Sequence, residues 1–428
     1  MKIAVLTVGT RGEVDPCIAL GGALQAAGHD VRIATHAAFR PLVRDAGLDF
    51  SLIDIDIGAF LQSESSPTAG DAGPVKALRG AIQSIKPMIR QAGGDCWAAS
   101  QGAEAVLYTI GGFFFAPHIA EKLRIPAIGI YPYPTGLPTR AFPNIFSPVQ
   151  GNLGGGLNQS THLLFEVMSW LPLRSSINAW RGEVLDLPPL GRGFPKWYRR
   201  EQMRMLYGFS PHVVPRPPDW GERVDITGYW LPEPARDWQP PADLVEFIEA
   251  GPPPVYVGFG SMNLHDPERV TGIVLEALAQ AGQRGLLLAG EGRLVPDHER
   301  ARAVGADVHF FTGAPFDRLF PQMAAVVHHG GSGTTALGMR AGVPTVVVHF
   351  MMDQPFWGRR VVDLGVGAGP IPFSRLSVDR LATAIQTAAT NGTIQERAAI
   401  LGERIRAEDG VAKAVELINR YLRSGTGK

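Results

Sequence analysis

The sequence predicts an α/β protein built from two doubly wound, Rossmann-like domains. Three observations carry this. Short continuous apolar runs, the mark of parallel strands covered on both faces, alternate with helical segments. The alternation breaks off in a proline-thick zone and then restarts, as it does across an interdomain connection. Four short polar or glycine-containing motifs each follow a strand directly, where open parallel sheets bind their ligands. The 428 residues exceed one ordinary core and suit two or three domains of ~100–200 residues. With 45% apolar and 19% charged residues, the chain can fill large cores and is not disordered.

Taken in order, "KIAVLTV" reads as a buried first strand. "DPCIALGGALQAAG" follows as a helix, with Pro16 near its start and Gly28 near its end. "VRIAT" is the second strand, and "AVLYTI", a helix around 116–123 and "PAIGIYP" continue the alternation. Between 142 and 190 the pattern gives way to loops with helical pieces such as "STHLLFEVMSW", read as a substrate-facing excursion. Prolines crowd 211–254. After them come the strand "PVYVGFGS", the helix "PERVTGIVLEALAQAG" and the strands "RGLLLAG", "VHFF", "AVVHH" and "VPTVVVHF". The expected domains are 1–215, a linker over 216–250, a second domain over 251–405, and an amphipathic helix with a polar tail over 406–428 that returns to the first domain.

Forty basic and forty acidic residues cancel, which argues against nucleic acid or an anionic membrane as the main partner. Cys17 and Cys96, the only cysteines, cannot make a metal cage alone and point to a reducing, cytoplasmic setting. The start is a strand rather than a signal peptide. No apolar run approaches the ~20 residues of a membrane span, so contact with a membrane is expected to be transient and at its surface.

The chemistry gathers in the post-strand motifs. In "HHGGSGTT" the glycines let backbone approach a ligand, and Ser332, Gly333 and Thr334 open a helix after Gly331. Free amides and the positive helix end favour phosphate there, by ~0.3–1 kcal/mol from the dipole alone. His328 adds a donor; the alternative is a tight turn capped by a histidine. Gly260 and Ser261 in "GFGSMN" offer a second loop for the same anion. Asp353 and Gln354 in "MMDQ" suit neighbouring sugar hydroxyls, although an N-cap aspartate before Pro355 explains the pair as well. "GTRGEVDP" is not a dinucleotide fingerprint, which disfavours an NAD-dependent oxidoreductase. It presents Glu13 as a candidate general base, with Asp15 close behind, and Thr10, Arg11 and Gly12 beside it. Arg11 has two readings, phosphate ligand or partner of Glu13. Asp54 and Asp56 in "DIDID" imitate a metal motif but alternate with apolar residues as a strand edge does. "GGFFFAPHIA" is core or the wall of an apolar pocket. His29, His36, His118 and His162 are expected to pack or sit at the surface.

The chain resembles the GT-B-fold glycosyltransferases of the sterol and antibiotic-aglycone group. The resemblance rests on "GTRGEVDPCIAL", "TRAFPN", "INAWRGEVLDLPPL", "GPPPVYVGFGSM" and above all "VVHHGGSGTTALGMRAGVPTVVVHFMMDQPFWGRRVVDLGVG". It implies an N-terminal acceptor domain and a C-terminal nucleotide-sugar domain facing each other across a cleft. It further implies metal-independent, inverting transfer of a hexose from a donor such as UDP-glucose to an apolar acceptor, without a cofactor. By the same resemblance His328, or alternatively His329, holds the diphosphate, and Asp353 and Gln354 hold the sugar. Two departures stand out. Glu13 replaces the group's usual aspartate, and "APFDRLF" places Phe316 and Arg318 where relatives carry histidine and tryptophan. Gly313, Ala314 and Phe316 then border the base, with uridine against thymidine left open. A catalytically silent sugar-nucleotide-binding protein and a nucleotide-sugar epimerase are the rival readings.

Overall fold

The computed structural model describes residues 1–55, 86–147, 149, 151–192, 204–232, 238–260, 262, 264–290 and 293–425. They form two compact units, Met1–Pro232 with Glu408–Lys428, and Glu233–Ala407.

The first unit runs β1 (Lys2–Leu6), α1 (Arg11–Ala26), β2 (Asp30–Thr35), α2 (Arg40–Asp45), β3 (Asp49–Leu52), α3 (Ile89–Ala99), β4 (Ala105–Tyr108), α4 (Ala116–Leu123), β5 (Ala127–Tyr131), α5 (Gly155–Leu185), β6 (Arg204–Tyr207) and β7 (Val224–Ile226). The second runs α6 (Ala242–Glu249), β8 (Val255–Gly258), α7 (Pro267–Gln280), β9 (Gly285–Leu288), α8 (His298–Val304), β10 (Val308–Phe311), α9 (Phe316–Leu319), β11 (Ala325–His328), α10 (Ser332–Ala341), β12 (Thr345–His349), α11 (Gln354–Asp363), β13 (Gly367–Pro372), α12 (Val378–Thr390) and α13 (Gly392–Arg406). The last helix, α14 (Gly410–Gly425), belongs to the first unit.

Both sheets are parallel, in the orders β3-β2-β1-β4-β5-β6-β7 and β10-β9-β8-β11-β12-β13. The strand order reverses between β1 and β4 and again between β8 and β11. At such a point consecutive crossovers leave toward opposite faces, so a crevice opens beyond the carboxyl ends. The apolar strand runs have the burial that parallel pairing demands. Val255 and Val257 join the core formed with α7 and α12, while Tyr256 between them packs into the opposite core with Leu319 and Phe320. In the first unit Leu20 and Leu24 of α1 share a core with Ile3, Val5, Leu417 and Ile418. Helix α14 thus covers α1, and Tyr421 donates from its hydroxyl to Asp225.

Two local expectations change. Segment 216–250, read as a linker, contains β7 and α6. The excursion at 142–190 contains one 31-residue helix, α5, which passes straight through Pro172. Burial explains the second difference: Leu173, Ile177 and Trp180 beyond the proline are fully inside, and their packing outweighs the ~3 kcal/mol a mid-helix proline costs. Both cysteines are buried and free. Among the described residues no helix is long and apolar enough to cross a membrane.

Candidate active site

In the second unit the loops after β8, β11 and β12 converge. Gly260, at φ +61°, lies so close to His329 that a Cβ there would stand 2.6 Å from the imidazole Cε1. Gly330, at φ +89°, lies against Val347 and Gln354. Gln354 Nε2 reaches Met262 Sδ at 3.5 Å. Three sequence-distant motifs are therefore one piece of structure at the second sheet's point of reversal. Ser261 and Asn263 lie outside the described residues.

Helix α10 begins at Ser332 with Gly331 as its extended N-cap and no side chain capping it. The amides of Ser332, Gly333 and Thr334 have no intrahelical acceptor. This start is half-buried, and space opens beside Gly333. His328 is the last residue of β11 and is fully buried; its Nδ1 accepts from the Gly330 N–H at 2.9 Å. That bond fixes the neutral tautomer, leaving the proton on Nε2. Burial pushes His328 down to about 3, with a smaller effect from His329 beside it, and burial alone pushes His329 down to about 4. Both rings are thus neutral at pH 7. His328 Nε2 and His329 Nδ1 are buried without hydrogen-bond partners, an arrangement that leaves polar capacity for a ligand.

Asp353 occupies the N-cap position of α11 but makes no capping bond. Its Oδ2 accepts from Trp357 Nε1 at 2.7 Å. Burial raises its carboxyl to about 6, while the Trp357 bond works in the opposite direction. Gln354 is turned inward: its Oε1 accepts from the amides of Phe350 at 2.7 Å and Met351 at 3.1 Å, which holds the β12–α11 loop in shape. A carboxyl raised above its unfolded value binds a proton on folding. Its contribution is complete below about 3.8 and lost as pH rises through about 6. Asp353→Asn, which still accepts from Trp357, is therefore expected to melt above the parent at pH 7. That lead should vanish toward about pH 4, as a series of melting curves would record.

Gly313 and Ala314 follow the edge strand β10, two strands from β8. Phe316 is stacked on Phe320 at 4.7 Å and packs edge-on to Tyr256, so its ring is part of a core. Helix α9, which it opens, packs against α10.

In the first unit the loop after β1 leads into α1, whose N-cap is Thr10. Arg11 and Gly12 are the first two helical residues, and Glu13 is the third. Glu13, not Asp15, is the acid of the first turn, where the helix dipole favours it. It is only 6% exposed. Its carboxylate folds back over Gly9, where any Cβ would lie 1.7 Å from Oε2. A side chain at position 9 would push this carboxylate aside. Asp15 sits one turn after the exposed Arg11 and pairs with it at 3.2 Å; burial raises its carboxyl and Arg11 partly offsets this. The β4 loop closes on the same place, with Gly111 tight against the Val8 carbonyl. The aromatic run after β4 divides: Phe115 is core against Trp180 at 5.5 Å, and Phe113 and Phe114 are half-buried at the strand's carboxyl end.

Other motifs are structural. Thr139 Oγ1 and the Arg140 amide donate to Asp219, both at 2.7 Å, and Asn158 Nδ2 donates to the Arg140 carbonyl. Arg181, 1% exposed, donates to Glu121, to Pro188 O and to His118 Nδ1, so "INAWRGEVLDLPPL" fastens α5 to α4. Sequence reasoning missed this arginine. Its spacing from Ile177, Trp180 and Leu185 on one helical face was the available signal. His29 bonds Asn419 and His162 the Phe142 carbonyl, and His36 is buried. Asp54 donates its amide to Asp95 just beyond β3; Asp56 lies outside the described residues.

Residues 3–130 match the glycosyltransferase family 28 N-terminal domain, and residues 295–418 match the C-terminal domain of erythromycin biosynthesis protein CIII-like proteins. Sterol 3-beta-glucosyltransferase UGT80B1 of Arabidopsis thaliana is 36% identical over 99% of the chain and 68% of its own length. The sterol 3-beta-glucosyltransferase of Emericella nidulans is 38% identical over 100% of the chain, which spans only 30% of that longer protein. Among solved structures, the glycotransferase of kitacinnamycin superposes with a TM-score of 0.70 at 23% identity, covering 98% of both chains. The calicheamicin glycosyltransferase CalG4 does so at 0.67 and 20%, again over 98% of each. At these identities the structures establish the fold, and the curated relatives establish the kinship. The chain is a GT-B-fold glycosyltransferase and belongs to the family of the sterol 3-beta-glucosyltransferases.

Proposed function

We propose that the protein transfers glucose from UDP-glucose to a hydroxyl on a sterol or similarly apolar acceptor, inverting the anomeric carbon and needing no metal. One observation carries this reading: an uncapped helix start beside two neutral histidines, each with an unpartnered ring nitrogen, at the reversal point of the second sheet. The glucosyl donor and sterol acceptor are drawn from the names of the curated relatives. A nucleotide diphosphate at the turn is in keeping with VinC, a 17% identical glycosyltransferase crystallised with dTDP.

In the reaction the acceptor oxygen forms its bond to the anomeric carbon as the bond from that carbon to the diphosphate oxygen breaks. The acceptor proton passes to the Glu13 carboxylate. The departing diphosphate gains one negative charge, met by the amides of Ser332, Gly333 and Thr334 and by the His328 Nε2–H. Preorganised donors of this kind stabilise charge without reorganising. Asp353 accepts from sugar hydroxyls, while Gln354 maintains the loop and offers its amide nitrogen. Phe316, Gly313 and Ala314 border the base. Two buried free thiols suit a reducing, cytoplasmic compartment.

The test is a product assay with UDP-glucose and a sterol, read by mass and anomeric configuration, beside a thermal-shift series with UDP and dTDP. A β-glucoside formed equally with and without EDTA, together with stabilisation by UDP, is expected. Activity abolished by EDTA would remove the metal-free account, and a glucose epimer formed without acceptor would replace transfer altogether.

A further inference from the structure

The loop that carries Asp353 holds one residue in a conformation its type rarely adopts. Among the described residues three other than glycine have a positive φ: Arg124, Asp186 and Met352. Arg124 and Asp186 are the left-handed residues that close α4 and α5, a common way for helices to end. Met352 closes no helix. Its φ is +57°, Asp353 after it lies at φ −81° and ψ −8°, and the Gln354 N–H donates back to the Met351 carbonyl at 3.2 Å. These values describe a type II′ turn with Met352 at its first central position, a place where glycine, asparagine and aspartate dominate. A methionine there is strained.

The strain is imposed from both sides. Gln354 Oε1 holds the amides of Phe350 and Met351. The Phe350 ring stacks on Phe373 at 4.1 Å and meets Phe259 at 5.9 Å, and Asp353 is tied to Trp357. With its neighbours pinned, the sharp change of direction falls on residue 352. Pinning explains how the conformation persists, but not why the residue is methionine, since glycine would adopt it without strain. The side chain supplies a reason. Met352 is 43% exposed. Among the described residues of the second unit only Ile400, on α13, is another large apolar side chain so exposed. Strained residues of this kind gather at ligand clamps. Asp353, one residue away, can serve only the hydroxyls of a sugar. A hexose also presents C–H faces, and a flexible, polarizable thioether adapts to such a surface.

We propose that Met352 packs its thioether side chain against a C–H face of the donor hexose, and that the strained turn is retained for this contact. The contact rests on the function proposed above, because it needs a sugar beside Asp353; the strain of the turn does not. The experiment compares the full chain with Met352→Gly, Met352→Asn and Met352→Leu, by melting without ligand and by calorimetric titration of UDP and UDP-glucose. Met352→Gly and Met352→Asn are expected to melt no lower than the parent and to bind UDP within twofold of it, yet to bind UDP-glucose at least fivefold more weakly. Met352→Leu keeps the apolar bulk on the same strained backbone, and should stay within twofold of the parent for both ligands. In steady-state transfer KM for UDP-glucose should rise in the first two variants with kcat little changed, as expected when a contact made equally in ground and transition states is lost.

Parental affinity for UDP-glucose in Met352→Gly and Met352→Asn overturns the inference. So does an equal loss for UDP, which would give the side chain to the nucleotide, and so does a loss confined to Met352→Gly, which would be looseness of the backbone. Melting of both variants well below the parent overturns it as well, by making Met352 a packing residue. A parent that binds UDP and UDP-glucose while all variants match it removes this contact and leaves the proposed reaction standing. A parent that binds neither removes both.

Discussion

Glu13→Gln is expected to lower kcat for transfer by about 10²–10⁴-fold while leaving the affinity for UDP almost unchanged. The substitution keeps the volume and planar shape of the side chain, so the space above Gly9 stays filled. Glutamine is also acceptable at the third position of a helix that follows a threonine N-cap, and α1 should start where it does now. What disappears is the ability to take a proton. A group acting only in the transition state lowers kcat and kcat/KM together. Steady-state kinetics with calorimetric titration of UDP separates the possibilities. Preserved turnover with weakened UDP binding would give the residue to the donor instead. Glu13→Asp retracts the carboxylate by one methylene and should recover part of the rate.

His328→Ala is expected to weaken UDP binding by about 10–100-fold, the worth of a hydrogen bond to a charged group. Its Nδ1 is already engaged by Gly330, so only the Nε2–H is free to donate. The same ring carries a second, independent signature. Because burial holds His328 near 3, the unfolded chain takes up a proton below about 6.5 that the folded chain refuses. Stability from this group is complete above that value and is lost as pH falls toward 3, at about 1.4 kcal/mol per pH unit. His328→Asn, able to accept from Gly330, should therefore lose about 2 kcal/mol less than the parent between pH 6.5 and 5 in urea unfolding. Unchanged UDP affinity in His328→Ala, with a loss in His329→Ala, would move the phosphate contact to the second ring.

Much of this site is legible in the amino-acid order. A strand, two histidines, glycines and a helix start are a local pattern, and adjacency to a strand end already says where on a parallel sheet they stand. The same local logic exposed Glu13 at the opening of the first helix. Which of Glu13 and Asp15 stands in the first turn needed the helix boundary, since a helix that begins at Arg11 puts the earlier acid there. Local logic also gave Asp353 and Gln354 equal roles, whereas the amide of Gln354 is held by the Phe350 and Met351 backbone. Proline and glycine signals over 142–190 suggested loops, and buried tryptophans and leucines on α5 overrode them.

The amino-acid order by itself determined two α/β units, their parallel sheets and the ends of those sheets that carry chemistry. Each of these follows from periodicity, chain chirality and the geometry of neighbouring residues. Only the tertiary structure decided which ring nitrogens lack partners, what lies over residue 9, and which face of α5 stays uncovered. Those properties depend on atoms brought together from far along the chain, since burial and hydrogen-bond satisfaction are set by three-dimensional neighbours.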